Sequence, residues 1–120
     1  MELPGRVDAL ALEQAYRQAP CAVTPAFDED FGLTAIEAMA AGKPVVCCRD
    51  GGGLAEIVTD GVDGFVVEPT GKAIAGAVEA LLADPSRAQA MGAAARETAA
   101  AYSWTRAKQE LRRAVEQVME

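Results

Sequence analysis

The chain has 120 residues, enough for one domain with a hydrophobic core and too few for two ordinary domains. Its formal net charge of −7 argues against a nucleic-acid-binding surface, which requires clustered Lys and Arg. It contains no histidine, so any acid–base or metal chemistry would have to use carboxylates, thiols or lysines. Composition therefore predicts one acidic domain with no nucleic-acid partner.

The three cysteines, Cys21, Cys47 and Cys48, form neither an even disulfide framework nor the spacing of a zinc site. We expect them to be buried, reduced thiols. No apolar run approaches the ~20 residues needed to cross a bilayer, and no signal peptide opens the chain. These features predict a cytoplasmic protein without a transmembrane segment.

The first half of the chain alternates helices and strands. An amphipathic helix over 8–19 is followed by a short apolar strand over 21–25, which Pro25 closes. A second helix over 32–41 should place Ile36, Met39 and Ala40 against a sheet, and Gly42 should end it. Residues 44–48 form a continuous apolar run, which is typical of a strand buried on both faces in a parallel sheet.

The second half continues the alternation and then becomes helical. A short helix over 54–58 precedes a third strand over 65–67, and further helices are predicted over 71–83, from 85 to about 100, and after Ser103 as N-cap. The last helix should carry an apolar stripe, formed by Trp104, Ala107, Leu111, Val115 and Val118. Alternating strands and helices predict right-handed parallel βαβ units. The expected fold is α/β: a partial Rossmann-like, three-layer domain with a short parallel sheet and C-terminal helices.

In such sheets ligands bind beyond the carboxyl ends of the strands. Three loops meet this condition, over 26–31, 49–53 and 68–71, and the first two should lie side by side if their strands are neighbours. They bring the carboxylates of Glu29, Glu37 and Asp50 near the N–H groups of 31–34. Free N–H groups at a helix start form an anion site. The pattern therefore fits a ligand with both phosphate and hydroxyl groups.

Plainer interpretations of the same residues remain open. Glu29 can be a solvated loop acid, Asp30 a helix N-cap and Glu37 an exposed helix residue. Glycines 51–53 can be only a tight turn. An Asp28-x-Asp30 pair could instead hold Mg²⁺ or Mn²⁺, although no further acids cluster nearby to complete the coordination.

The stretch 29–46, EDFGLTAIEAMAAGKPVV, resembles the Glu-x₇-Glu signature of family 4 (group 1) glycosyltransferases. Similar residues continue on both sides, at 16–19, 24–25, 52–58, 60–61, 64–67, 84–85 and 102–104. The resemblance covers nearly the whole chain. The sequence departs from the family pattern at Pro20, Ala26 and Asp30, where the family often has Asp, Ser and Gly.

The resemblance implies the C-terminal half of a GT-B enzyme, with residues 1–120 as an incomplete C-terminal nucleotide-sugar-binding domain. Glu29 would be the catalytic residue and bond sugar hydroxyls, and Glu37 would bind the ribose. The backbone at Phe31, Gly32 and Leu33 would line the sugar and phosphate, and the amide of Thr34 would reach the diphosphate. The family transfers sugar with retention, without a metal or cofactor beyond the nucleotide diphosphate sugar donor.

The resemblance also implies missing parts. The family's N-terminal acceptor domain and the Arg and Lys that clamp the diphosphate have no counterpart here, so we expect the isolated chain to be inactive. Its unpaired sheet edge predicts a homodimer or a domain swap. The full-length enzyme would be cytoplasmic or lie at the inner membrane surface. The alternatives are a non-catalytic nucleotide-sugar-binding module and another GT-B enzyme, such as a nucleotide-sugar epimerase. Base, sugar and acceptor stay unidentified.

Overall fold

A computed structural model describes residues 3–119, apart from the side chain of Trp104. The elements in chain order are α1 (Ala9–Gln18), β1 (Ala22–Thr24), α2 (Leu33–Ala40), β2 (Val45–Cys48), α3 (Gly53–Ile57), β3 (Gly64–Val67), α4 (Gly71–Ala83), α5 (Pro85–Ala100) and α6 (Trp104–Met119). This order agrees with the predicted alternation.

The three strands form a parallel sheet in the order β1-β2-β3. The register places Val46 between Val23 on one side and Phe65 on the other. Every residue of β2 is buried, because β2 is the central strand and is covered on both faces. The continuous apolar run at 45–48 is therefore explained by burial on both faces of the sheet, as predicted.

Helices cover both faces of the sheet, so the domain has three layers. One apolar cluster joins one face of β2 to α2, α3 and the C-terminal half of α5; its buried members include Val45, Cys47, Ala38, Met39, Leu54, Ile57, Ala95 and Ala99. A second joins the other face to α4 and the start of α5; it includes Val46, Ala77, Leu81, Ala88 and Met91. Helix α5 therefore contributes to both clusters, and the expected fold class is confirmed.

Helix α2 buries a different face from the predicted one. Ala35, Ala38 and Met39 are buried, whereas Ala40 is exposed and Ile36 only half-buried. The buried positions follow the i, i+3, i+4 spacing, with two alanines where a large apolar stripe was expected. Small side chains win here because α2 packs closely against α5, which contributes Ala95 and Ala99 to the same cluster.

The two terminal helices have no buried residue among the described side chains. In α1, Leu10 is 63% exposed, and only Tyr16 packs against the first cluster. In α6, the stripe residues Leu111, Val115 and Val118 are 67%, 47% and 86% exposed; the side chain of Trp104 lies outside the described part. The predicted helices are present, but their apolar faces are left uncovered.

The cysteines are free thiols, with Cys47 and Cys48 buried and Cys21 half-buried. Burial raises the pKa of the Cys47 thiol to about 11, and the nearby Cys48, Asp60 and Asp63 add to the shift. Within residues 3–119, no helix is long and apolar enough to cross a membrane.

Candidate functional site

The loops that follow β1 and β2 lie against each other, as predicted. The N–H of Asp28 donates to the carbonyl of Asp50 at 2.7 Å, and the N–H of Glu29 donates to that of Gly51 at 3.1 Å. The carbonyl of Glu29 accepts from the N–H of Gly53 at 2.7 Å. Both backbone groups of Glu29 are thus used in the loop contact, and the residue is exposed.

The glycines at 51–53 permit this contact and are more than a tight turn. A Cβ on Gly52 would lie 2.6 Å from the carbonyl oxygen of Glu29, and one on Gly53 would lie 2.6 Å from that of Asp30. Both distances are far shorter than any carbon–oxygen contact, so a side chain at either position would push the first loop away. The glycines therefore allow the two loops to pack closely, and this packing positions the backbone of Glu29.

Helix α2 begins at this loop without a side-chain cap. Gly32 is the N-cap, with φ 91° and ψ 44°, and no side-chain hydrogen bond caps the helix. The alternative that Asp30 caps the helix is therefore wrong, because the N-cap is Gly32 and Asp30 lies two residues before it. The first-turn N–H groups, at Leu33 and Thr34 among them, keep the partial positive charge of an open helix start.

The predicted polar side chains on the loop and on α2 are exposed. Glu29, Thr34 and Glu37 all face solvent, and neither glutamate has an ion-pair partner within the described residues. The pKa of Tyr16 is raised by burial first and then by the negative charge of Glu37, which places the two side chains near each other. Glu29 therefore lies on the loop that leads into the open helix start, and Glu37 lies on the second turn of that helix, near Tyr16 of α1.

The side chain of Phe31 contacts the turn between α5 and α6. Its ring is 49% exposed and meets the ring of Tyr102 edge to face, with 6.0 Å between centroids and 81° between planes. The two rings line a groove of ≈ 620 Å³ at the α5–α6 turn. Sequence reasoning treated Tyr102 only as part of an aromatic motif before the last helix and did not place it beside the loop.

The third predicted loop contributes through one ion pair. A carboxylate oxygen of Glu68 lies 2.8 Å from the Nε of Arg49, and this ion pair joins the loops after β3 and β2 at an exposed edge. Across residues 3–119 no group of three or more Cys, Asp or Glu side chains is arranged to hold a metal ion. This holds for the Asp28 and Asp30 carboxylates as well.

Residues 1–98 match the family described as glycosyl transferases group 1. The D-inositol 3-phosphate glycosyltransferase of Geodermatophilus obscurus is 45% identical over 104 residues, which are 86% of this chain and 22% of that protein. A second such enzyme, from Catenulispora acidiphila, is also 45% identical, over 82% of this chain and 23% of its own length. The chain spans about a fifth of the length of the curated relatives it matches.

Solved structures share the fold. Sucrose-phosphate synthase from Thermosynechococcus elongatus superimposes with a TM-score of 0.82 at 35% identity, over 96% of this chain and 29% of that one. Anabaena HepE in complex with UDP gives 0.74 at 25% identity, over 93% and 30%. The C-terminal domain of the group 1 protein LpcC from Francisella tularensis gives 0.67 at 24%, over 83% and 51%.

The sheet, the loop pair and the Glu-x₇-Glu segment of this chain all fall within the matched residues 1–98. The chain belongs to the group 1 glycosyltransferase family.

Proposed function

We propose that this chain forms the donor-binding part of a retaining glycosyltransferase, which transfers a sugar from a nucleotide diphosphate sugar to an acceptor. One observation carries the proposal: the uncapped start of α2 follows a loop that carries the exposed Glu29 and is held by the glycines at 51–53. The exposed Glu37 lies on the second turn of the same helix. Positive N–H groups suit a diphosphate, and free carboxylates suit sugar hydroxyls. Family membership supports the same chemistry.

Each residue has a separate role in this proposal. Glu29 accepts hydrogen bonds from hydroxyls of the transferred sugar, and Glu37 accepts them from the ribose. The backbone of Phe31, Gly32 and Leu33 lines the sugar and phosphate, and the amide of Thr34 donates to the diphosphate. The exposure of both glutamates agrees with these roles, because neither carboxylate has to leave an ion pair in the described part of the chain to bind a ligand.

The proposed reaction is a front-face displacement. The bond between the anomeric carbon and the leaving phosphate oxygen breaks, and the acceptor oxygen bonds to the same face of that carbon. The acceptor proton passes to the departing phosphate, so no separate base is required. N–H groups at the start of α2 would stabilise the negative charge that builds on the diphosphate.

The rest of the proposed site lies outside these 120 residues. The relatives are several times longer, and an acceptor-binding half with cationic side chains for the diphosphate would complete the enzyme. UDP, which HepE binds, is the first nucleotide to test. D-inositol 3-phosphate, the compound in the relatives' name, is the first acceptor.

A titration of the full-length protein with UDP-, GDP- and ADP-sugars tests the donor site. We expect one of them to bind, and Glu37→Ala to weaken that binding about 10- to 100-fold, the range for a hydrogen bond to a charged group. Glu79→Ala, an exposed helix glutamate on α4, is the matched control and should bind normally. Unchanged affinity in Glu37→Ala would remove the ribose role.

Transfer assays separate the alternatives. Donor binding without transfer to any acceptor would favour a non-catalytic module, and interconversion of the free nucleotide sugar would favour an epimerase. For the purified 120-residue chain we expect no sugar transfer. We also expect self-association, because Leu10, Val23 and Leu111 are exposed on uncovered faces. Sugar transfer by that chain, or a monomeric mass by light scattering at micromolar concentrations, would contradict these expectations.

A further inference from the structure

The two halves of the loop that carries Glu29 make different contacts. Asp28 and Glu29 make three backbone hydrogen bonds to residues 50–53. The following residues, Asp30 and Phe31, make no backbone hydrogen bond within the described residues. Gly53 packs against the carbonyl of Asp30, and Leu54 packs against the buried Gly32. Between these two contacts, the side chain of Phe31 packs against Tyr102, which gives this segment a restraint from the turn between α5 and α6.

Tyr102 is itself well anchored. Its N–H donates to the carbonyl of Ala99 at 3.0 Å, and Ala99 is buried in the cluster under α2. The next residue, Ser103, caps α6 by accepting from the N–H of Arg106 at 3.1 Å. The ring of Tyr102 therefore belongs to a turn that is hydrogen-bonded before and after it, whereas the ring of Phe31 belongs to a loop residue without a backbone hydrogen bond in the described part of the chain.

We propose that Tyr102 is a positioning residue for the donor site, which acts through Phe31 to hold the segment between Glu29 and Gly32 in its binding geometry. This inference rests on the proposed function. The hydroxyl of Tyr102 makes no hydrogen bond within the described residues, so the ring edge alone carries the effect. A phenylalanine at position 102 should therefore serve equally well.

The test uses the full-length protein and whichever of UDP, GDP and ADP the wild type binds. Tyr102→Ala should weaken binding about 2- to 10-fold, the fold-change expected for one edge-to-face pair. Tyr102→Phe should bind with the wild-type affinity. Leu82→Ala, which truncates a side chain of similar exposure (57%) on α4, should leave the affinity unchanged.

A double-mutant cycle with Phe31→Ala shows whether Tyr102 acts through Phe31. The double variant should bind no more weakly than Phe31→Ala alone, because the second truncation then removes nothing further. Additive losses, or full affinity in Tyr102→Ala, would overturn this inference alone. A wild-type protein that binds none of the three nucleotides would overturn the proposed function together with it.

Discussion

The two ends of α2 differ in how their free backbone N–H and C=O groups are satisfied. Each end has a glycine with positive φ, Gly32 at 91° and Gly42 at 78°. At the C-terminal end the carbonyls are satisfied locally: Gly42 donates to Met39 and Lys43 donates to Ala38, the pattern of a Schellman motif. At the N-terminal end no side chain caps the N–H groups. We call the C-terminal end at Gly42 the closed end and the N-terminal end at Gly32 the open end.

The closed end is also where α5 crosses. A Cβ on Gly92 would lie 2.1 Å from the carbonyl oxygen of Gly42, and a Cβ on Gly42 would lie 2.5 Å from the guanidinium of Arg96. Two helices therefore touch through glycine. The open end is instead bordered by loops and exposed carboxylates. The last turn of α2 is therefore closed by hydrogen bonds and packing, whereas its first turn keeps the uncapped N–H groups on which the proposed function depends.

The largest expected effect is at the closed end. Gly92→Ala should destabilise the fold by about 3 kcal/mol, the upper range for overpacking, because the obstacle is backbone that cannot rotate away. Denaturant unfolding measures it. Gly76→Ala on α4 is the matched control, since a Cβ there meets nothing within 4 Å; it should stabilise the protein by about 0.5–1 kcal/mol. Equal effects of the two changes would refute the close packing.

Gly32→Ala should break the open end at a smaller cost. Its left-handed backbone is strained by about 1–2 kcal/mol with a side chain, whereas its contact, the tip of Leu54, can shift. Nucleotide binding by the full-length protein should fall as well. Gly61→Ala has a similar φ of 79° and open space around it, so it should lose comparable stability but keep full binding. A loss of binding in both variants would show that stability alone is responsible.

The buried thiol of Cys47, which donates to the carbonyl of Leu54, gives a pH test. The folded pKa of Cys47 is raised to about 11 from 9.0, so the stability it contributes is complete below pH 9 and is lost as pH rises towards 11. Cys47→Ala should therefore lose less stability than the wild type between pH 9 and 11. Denaturation curves at both pH values measure this. Cys21→Ala, a half-buried thiol, should change the slope less.

The smallest effect is expected for the ammonium group beside the closed end. The Nζ of Lys43 donates to the carbonyl of Arg17 at 3.3 Å, an exposed contact with α1. Lys43→Met should change the free energy of unfolding by less than about 0.5 kcal/mol, since exposed charged contacts contribute little. A cost above 1 kcal/mol would mean that charge, and not glycine packing, closes this end.

Local pattern was sufficient for the elements and for the meeting of the first two loops. The apolar run at 45–48 predicted a central strand, and the parallel alternation predicted that the first two loops would meet at one sheet edge. The plainer interpretation of 51–53 as a tight turn was incomplete, because only the distance between two loops shows why a Cβ cannot fit there. The role of Asp30 as N-cap was wrong for a similar reason: it depends on the backbone angle at Gly32.

The sequence by itself determined the strands, the helices, the family resemblance and the segment that holds Glu29 and Glu37, because these follow from periodicity and from the order of residues along the chain. Only the tertiary structure decided which face α2 buries, that Gly92 lies on Gly42, and that Tyr102 meets Phe31. Each of these is a contact between residues far apart in the chain, and no local pattern specifies the distance between them. Amphipathic helices such as α1 and α6 make the same point, since their pattern predicts an apolar face but not what covers it.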